Sequence, residues 1–176
     1  MILSPVFWIN FWPNFASTIG GLIIGLPIAL WTNRKIIKEQ TKKKEAEDIG
    51  RLSNALDIIK KTLIENNSKM LDLENTIYQN QVQWETRLDI SAWDAVKNDI
   101  IQYLHNPNLQ KRIAYHFSRL NTLSHLNGMY LESTTGVTSI ITGRDHMKEI
   151  LKNYLISTIG SLLQDQQEIL DLIDQC

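Results

Sequence analysis

Four histidines and the arginines around them are the side chains of this sequence best suited to acid–base chemistry. His116, His125 and His146 lie near arginines, and His105 is the fourth. Imidazole titrates close to neutral pH and can therefore transfer protons. The sequence has no Gly-rich phosphate loop, no His-Glu-x-x-His zinc motif, no Gly-x-Ser-x-Gly turn and no pair of cysteines. Most enzyme classes therefore lose support.

One arginine–histidine pair has the spacing of a known nuclease motif. Arg119 and His125 are separated by five residues, among them the polar Asn121. At about 100° per residue, the two share a helix face only loosely. This R-x5-H segment resembles the R-x(4–6)-H motif of the HEPN superfamily. HEPN proteins are all-helical bundles that often dimerise to bring two Arg–His pairs together for metal-independent RNA cleavage.

The HEPN resemblance implies roles for the pair and also has departures. In that superfamily the histidine is thought to transfer protons and the arginine to stabilise phosphorane charge. HEPN nucleases commonly have a polar residue directly after the arginine, whereas Leu120 occupies that place here and Asn121 follows it. Arg112 and His116, with three intervening residues, fall outside the allowed spacing. The alternative is structural: a surface ion-pairing arginine and a histidine at a helix end.

Charge is unevenly distributed along the chain, although the net formal charge is only -1. Residues 1–33 carry no charged side chain, and residues 34–44 carry six basic side chains and one glutamate. The rest of the chain holds 12 of the 18 basic and 18 of the 19 acidic residues, which opposes general nucleic-acid binding. Cys176 is the one cysteine, so no intramolecular disulfide forms and no thiolate cluster holds zinc. The six basic residues are Arg34, Lys35, Lys38, Lys42, Lys43 and Lys44.

An uncharged apolar stretch near the N-terminus predicts a transmembrane helix. Residues 15–31 carry no charge, and a helix extended back to Phe7 is long enough to cross about 30 Å of hydrocarbon. Four aromatic residues precede the stretch and Trp31 ends it, and aromatic residues at both ends are typical of helices that cross the two membrane–water interfaces. The basic cluster follows the apolar core, which argues against a cleaved signal peptide. We expect a single pass through the inner membrane, with the N-terminus outside and the C-terminal domain in the cytoplasm.

Small residues recur every four positions in this stretch, at Ser17, Gly21, Gly25 and Ala29. They line one helix face and allow neighbouring helices to approach closely in lipid. The pattern predicts self-association, and the alternative is a lone anchor in which glycine is merely common. Pro27 removes one backbone hydrogen bond and tends to kink the helix.

A heptad pattern follows the basic cluster and predicts one helix over about 34–80. Its apolar seam needs a partner, either other helices of the same chain or the same helix of a neighbouring subunit. Asn66, polar on the seam, either fixes the register between copies or makes a satisfied contact within the monomer. The seam consists of Ile49, Leu52, Leu56, Ile59, Leu63, Asn66, Met70, Leu73 and Ile77.

Three further helices are expected, over about 91–105, 107–130 and 144–173, with a loop at 132–143. The expected fold is all-α: an N-terminal transmembrane helix and a cytoplasmic, HEPN-like bundle of about four helices. The apolar positions expected to face inward include Ile101, Ile150 and Tyr154. The expected domains are a membrane anchor (1–33), a basic juxtamembrane helix (34–48) and the bundle (49–176).

The layout of the whole chain resembles one family: the small membrane accessory protein encoded beside the RNA-guided RNA nuclease of type VI-B CRISPR systems, a divergent HEPN protein. The features that carry the resemblance are the lone anchor, the helical bundle and the R-x5-H segment. It implies a protein that strengthens antiviral defence by assembling into a ring, whose anchors form a pore and depolarise the membrane. The implied partners are further copies of the chain, the lipid bilayer and the nuclease or its RNA, with no cofactor or metal.

Two other functions stay open. The first is a membrane-tethered ribonuclease in which Arg119 and His125 are catalytic, with Asn121 beside them. The second is a membrane scaffold that recruits a cytosolic partner. The acidic bundle and the irregular motif both weigh against efficient RNA cleavage, so the pore is the preferred prediction.

Overall fold

The computed structural model describes residues 5–79, 81, 87–135 and 144–175. Over these residues the fold is all-helical, as predicted, with four helices and no strand. The chain divides into two compact units, Met1–Asp48 and Ile49–Cys176, and the first helix contributes to both. The helices are α1 (Pro5–Tyr78), α2 (Ser91–Tyr103), α3 (Pro107–Thr135) and α4 (Arg144–Ile173).

The first unit contains the apolar segment, defined here as residues 11–33 of α1. None of its side chains is charged, and all are exposed apart from the half-buried Gly20. Within the described residues, α1 is the one helix long and apolar enough to cross a membrane, by length and composition. The helix continues through Pro13 and Pro27. A helix suits an apolar environment because it satisfies nearly all of its backbone hydrogen-bonding groups internally.

The core of the second unit is built on the heptad seam of α1. Leu63 and Met70 are fully buried, and the seam stays buried as far as Ile77. Towards the N-terminal end of the seam the side chains become more exposed: Leu52 is half-buried and Ile49 is 69% exposed. The seam therefore finds its partners in the other helices of the same chain. Each enclosed Leu, Ile or Met contributes roughly 1.5–3 kcal/mol by leaving water.

The connections into α2 and α3 are fixed by polar side chains. Asp89 Oδ1 accepts hydrogen bonds from the backbone N and Oγ of Ser91, at 2.9 and 2.8 Å, where α2 begins. Asn106 Oδ1 accepts one from the backbone N of Leu109, 3.1 Å away, which caps the start of α3. Pro107 opens that helix, where its missing N–H costs nothing. Together these contacts set where α2 and α3 start.

The predicted start of the loop after α3 was wrong. Residues 132–135 of the loop expected over 132–143 are helical, because α3 continues to Thr135. The hydroxyls of Ser133 and Thr134 donate to the carbonyl of Tyr130, at 2.7 and 2.8 Å, so these residues are accommodated within the helix. The remainder of that predicted loop, residues 136–143, lies outside the described residues.

Three side chains expected to face inward are exposed instead: Ile101, Ile150 and Tyr154. In each case a sequence neighbour faces the core. Ile100 and Leu155 are fully buried and Leu151 is 8% exposed. The buried face of each helix is therefore narrower than the sequence suggested. Adjacent residues on a helix differ by about 100°, which turns one of two consecutive apolar side chains outward.

Candidate functional site

The predicted motif residues are not brought together within one chain. Arg119 and His125 both lie on α3, where six positions correspond to about 9 Å of rise. The Arg119 guanidinium is half-buried and lies 5.7 Å from the centre of the Tyr115 ring, a cation–π distance. His125 is exposed. Among the described residues no hydrogen bond or ion pair joins the two side chains.

Asn121, the third predicted site residue, lines a shallow groove between α2 and α3. Trp93 and Phe117 stack in this groove with their ring centres 6.0 Å apart and their planes 19° from parallel. The groove encloses about 220 Å³. Cavities that bind drug-sized ligands usually measure about 300–1,000 Å³, so this one is small for a cofactor.

A larger groove of about 430 Å³ lies where α4 ends against α1. Its floor is the N-terminal part of the seam, and its rim carries the ion pair of Lys60 Nζ with Asp174 Oδ1, 2.5 Å apart. Both side chains of that pair are exposed, so solvent weakens their attraction. The apolar lining is Ile49, Leu52, Leu56 and Ile173.

The most elaborate arrangement of charges joins α3 to α4, and we call it the polar clamp: Arg112, His116, Asp165 and Glu168. His116 Nδ1 lies 3.0 Å from Asp165 Oδ2. Arg112 Nη2 lies 3.5 Å from Asp165 Oδ1 and also contacts Glu168 Oε2. Arg112 contacts Glu168, whereas His116, one turn later on α3, contacts Asp165, which lies earlier on α4. The two helices therefore run antiparallel at this level. Glu168 raises the pKa of Arg112.

The environment of His116 fixes its protonation state. Because a carboxylate oxygen faces Nδ1, that nitrogen carries the hydrogen and donates it to Asp165. The ring is fully buried, and no described residue forms a hydrogen bond with Nε2. Burial lowers the pKa of His116, Asp165 raises it, and the nearby Arg119 lowers it again, with a net decrease. His116 is therefore neutral at pH 7, with its hydrogen on Nδ1.

A histidine held by a carboxylate is a familiar catalytic pair, but here the reactive nitrogen faces inward. Nε2 is inaccessible to a substrate because the whole side chain of His116 is buried. In this conformation the pair holds α3 against α4 rather than performing acid–base chemistry. The clamp was missed in the sequence because Arg112 and His116 were judged against the nuclease spacing. Their four-residue separation, which places two side chains on one helix face, was the available signal.

The small-residue face of the apolar segment is exposed among the described residues. Ser17, Gly21, Gly25 and Ala29 are all exposed. A Cβ atom added at Gly20, Gly21 or Gly25 would meet nothing within 4 Å. The fold of a single chain therefore does not require glycine at these positions.

The basic cluster at 34–44 is also exposed, and all six cationic side chains reach solvent. Lys35 Nζ lies 5.8 Å from the centre of the Trp31 ring, which places a cation over the aromatic side chain at the end of the apolar segment. In the part of the chain that the structure describes, no three His, Cys, Asp or Glu side chains are grouped so that they could hold a metal ion.

Comparison with known proteins gives no relative: no protein family, curated protein or solved structure matches this chain.

Proposed function

We propose that this chain is a membrane-anchored antiviral defence protein that self-assembles through its N-terminal helix, forms a pore and depolarises the membrane, enhancing an RNA-guided RNA nuclease. The observation that carries the proposal is the small-residue face at Ser17, Gly21, Gly25 and Ala29. A Cβ atom added at Gly21 or Gly25 would meet nothing within 4 Å, and all four residues are exposed. In lipid, small residues at this spacing allow two helix backbones to pack closely.

The burial of the other apolar surfaces of α1 supports assembly through the apolar segment. From Leu56 to Ile77 the heptad seam is buried within the chain, so it is not needed to hold copies together. Among the described residues the apolar segment is a long, exposed apolar surface, which is unfavourable in water. Since it carries no charge, a ring of such helices would enclose a hydrophobic constriction that conducts ions only when wetted.

The proposed orientation follows from the basic cluster at 34–44. Lysine and arginine next to a membrane span are retained on the cytoplasmic side. In the proposed orientation the second unit, residues 49–176, lies in the cytoplasm, where an RNA-guided nuclease and its RNA would meet it. The ribonuclease alternative gains no support from Arg119 and His125, which are not in contact in a single chain.

The test is a pair of matched glycine variants of the full chain, Gly21→Leu on the small-residue face and Gly20→Leu beside it. A Cβ atom would meet nothing within 4 Å at either position, so we expect both variants to keep the fold. Bacteria would express each variant with a type VI-B nuclease, its guide and a target RNA. A voltage-sensitive dye would report membrane potential, and chemical cross-linking would report oligomers.

We expect depolarisation and cross-linked oligomers with the wild type and with Gly20→Leu, and loss of both with Gly21→Leu. Equal behaviour of the two variants would rule out assembly through this face. A wild-type protein that reaches the membrane but leaves its potential unchanged would instead support the scaffold function. Cleavage of RNA by the purified wild type, abolished by Arg119→Ala with His125→Ala, would support the ribonuclease.

A further inference from the structure

The polar clamp contains a titratable imidazole ring, and a second proton on this ring would find no hydrogen-bond acceptor among the described residues. His116 already donates from Nδ1 to Asp165, so an added proton must bind to Nε2. That nitrogen is buried, and none of the described residues accepts a hydrogen bond from it. A buried donor that loses water without gaining an acceptor is costly, and more so when it is charged. The folded bundle therefore resists protonation of this ring.

The charges around the ring come from α3 and α4. Asp165 on α4 favours the protonated form, while Arg119 on α3 opposes it. Arg112 competes for Asp165 by approaching its other carboxylate oxygen, and it is itself held by Glu168. From α2 the buried residues are apolar, and from α1 the buried polar residues are Thr62 and Asn66, neither of which titrates. No anionic group other than Asp165 acts on the ring from the described core.

We propose that the polar clamp is an acid-sensitive latch, in which a proton taken up at Nε2 of His116 releases α4 from α3 at this level of the bundle. In the closed state the ring is neutral and holds Asp165 across the helix interface. In the open state the ring is charged and reaches water. The latch is a property of the second unit and does not depend on the proposed pore.

The direction and size of the effect follow from proton linkage. Histidine in an open chain has a pKa near 6.5, and the closed bundle binds the proton less readily. The free energy that favours the closed clamp is therefore fully present above about pH 6.5. It decreases as the pH falls towards the lower pKa that His116 has in the closed state. For one proton, the population of open clamp rises up to about tenfold between pH 7.5 and 5.5.

Amide hydrogen exchange on the full chain in lipid nanodiscs tests the latch. Exchange in 109–120 and 162–173 would be measured from pH 7.5 to 5.5 and corrected for the intrinsic pH dependence of the amides. Three proteins are needed: the wild type, His116→Phe, which fills the same space without titrating, and His125→Phe, which removes an exposed histidine of the same helix.

We expect corrected exchange in both segments to rise up to about tenfold in the wild type and in His125→Phe, and to be independent of pH in His116→Phe. No rise in the wild type, or the same rise in His116→Phe, would overturn the latch. A direct NMR titration of His116 in the wild type gives a second criterion that needs no variant. Titration of its ring at or above the ordinary value for histidine would also overturn the proposal.

Discussion

Replacing Asn66 with leucine removes a polar contact that ties α1 to the segment before α2. Asn66 is fully buried; its Nδ2 donates to Asp89 O and its Oδ1 accepts from Asp89 N, both at 2.8 Å. Leucine has a similar volume but leaves the half-buried N–H and C=O of Asp89 without these partners. Each unsatisfied backbone group costs about 1–3 kcal/mol, and the apolar side chain returns roughly 1–2 kcal/mol by burial. Two such groups cost about 4 kcal/mol at the middle of that range, so after subtracting the gain from burial we expect the free energy of unfolding to fall by about 2–3 kcal/mol.

Urea unfolding of the full chain in mild detergent, followed by far-UV circular dichroism, measures this change. Asn54→Leu is the matched control, because Asn54 lies on the same helix but is exposed, and it should change stability by less than about 0.5 kcal/mol. The loss should not vary with protein concentration, since the contact lies within one chain. If Asn66→Leu lost no more stability than Asn54→Leu, the contact of Asn66 with Asp89 within one chain would be refuted. It would also be refuted if stability were lost only at concentrations where copies of the chain associate, which would favour a role of Asn66 in fixing the register between copies.

The remaining predictions concern side chains whose burial differs, and all are measured by the same urea unfolding. Leu120→Ala should lower the free energy of unfolding by about 2–5 kcal/mol, because the side chain is fully buried; a change below 1 kcal/mol would contradict its place in the core. Arg119→Ala with His125→Ala should cost about 1 kcal/mol or less, since the pair loses one partly exposed cation–π contact, and a larger loss would indicate a structural role. Lys60→Met should cost under about 1 kcal/mol, because the ion pair with Asp174 is exposed; a larger cost would mean that this pair closes the bundle.

The parts of the fold that could be predicted from the sequence are those with strong periodicity. The seam from Leu56 to Ile77 was predicted by its heptad spacing, and the apolar segment by its lack of charge. The end of α3 was not, because Ser133 and Thr134 suggested a loop and only the structure shows their hydroxyls bonded to Tyr130. Such local compensation depends on side-chain rotamers, which composition does not reveal.

The candidate site was less predictable, since its contacts join residues that are far apart in sequence. Asn66 could be singled out as a polar residue on the seam, but its partner is the backbone of Asp89, which no side-chain pattern identifies. His116 was set aside because its spacing from Arg112 did not fit a nuclease motif. Its significance depends on Asp165, which is 49 residues away on the facing helix.

We propose that the apolar segment spans a membrane with residues 49–176 on the cytoplasmic side. The single cysteine, Cys176, allows the most direct test: labelling with an impermeant polyethylene-glycol maleimide in spheroplasts. Ser4→Cys in a Cys176→Ser background provides the matched probe for the other side. We expect that Cys176 is labelled only after lysis and that the cysteine at position 4 is labelled in intact spheroplasts. Labelling of Cys176 before lysis, or recovery of the unlabelled chain in the soluble fraction without detergent, would contradict it.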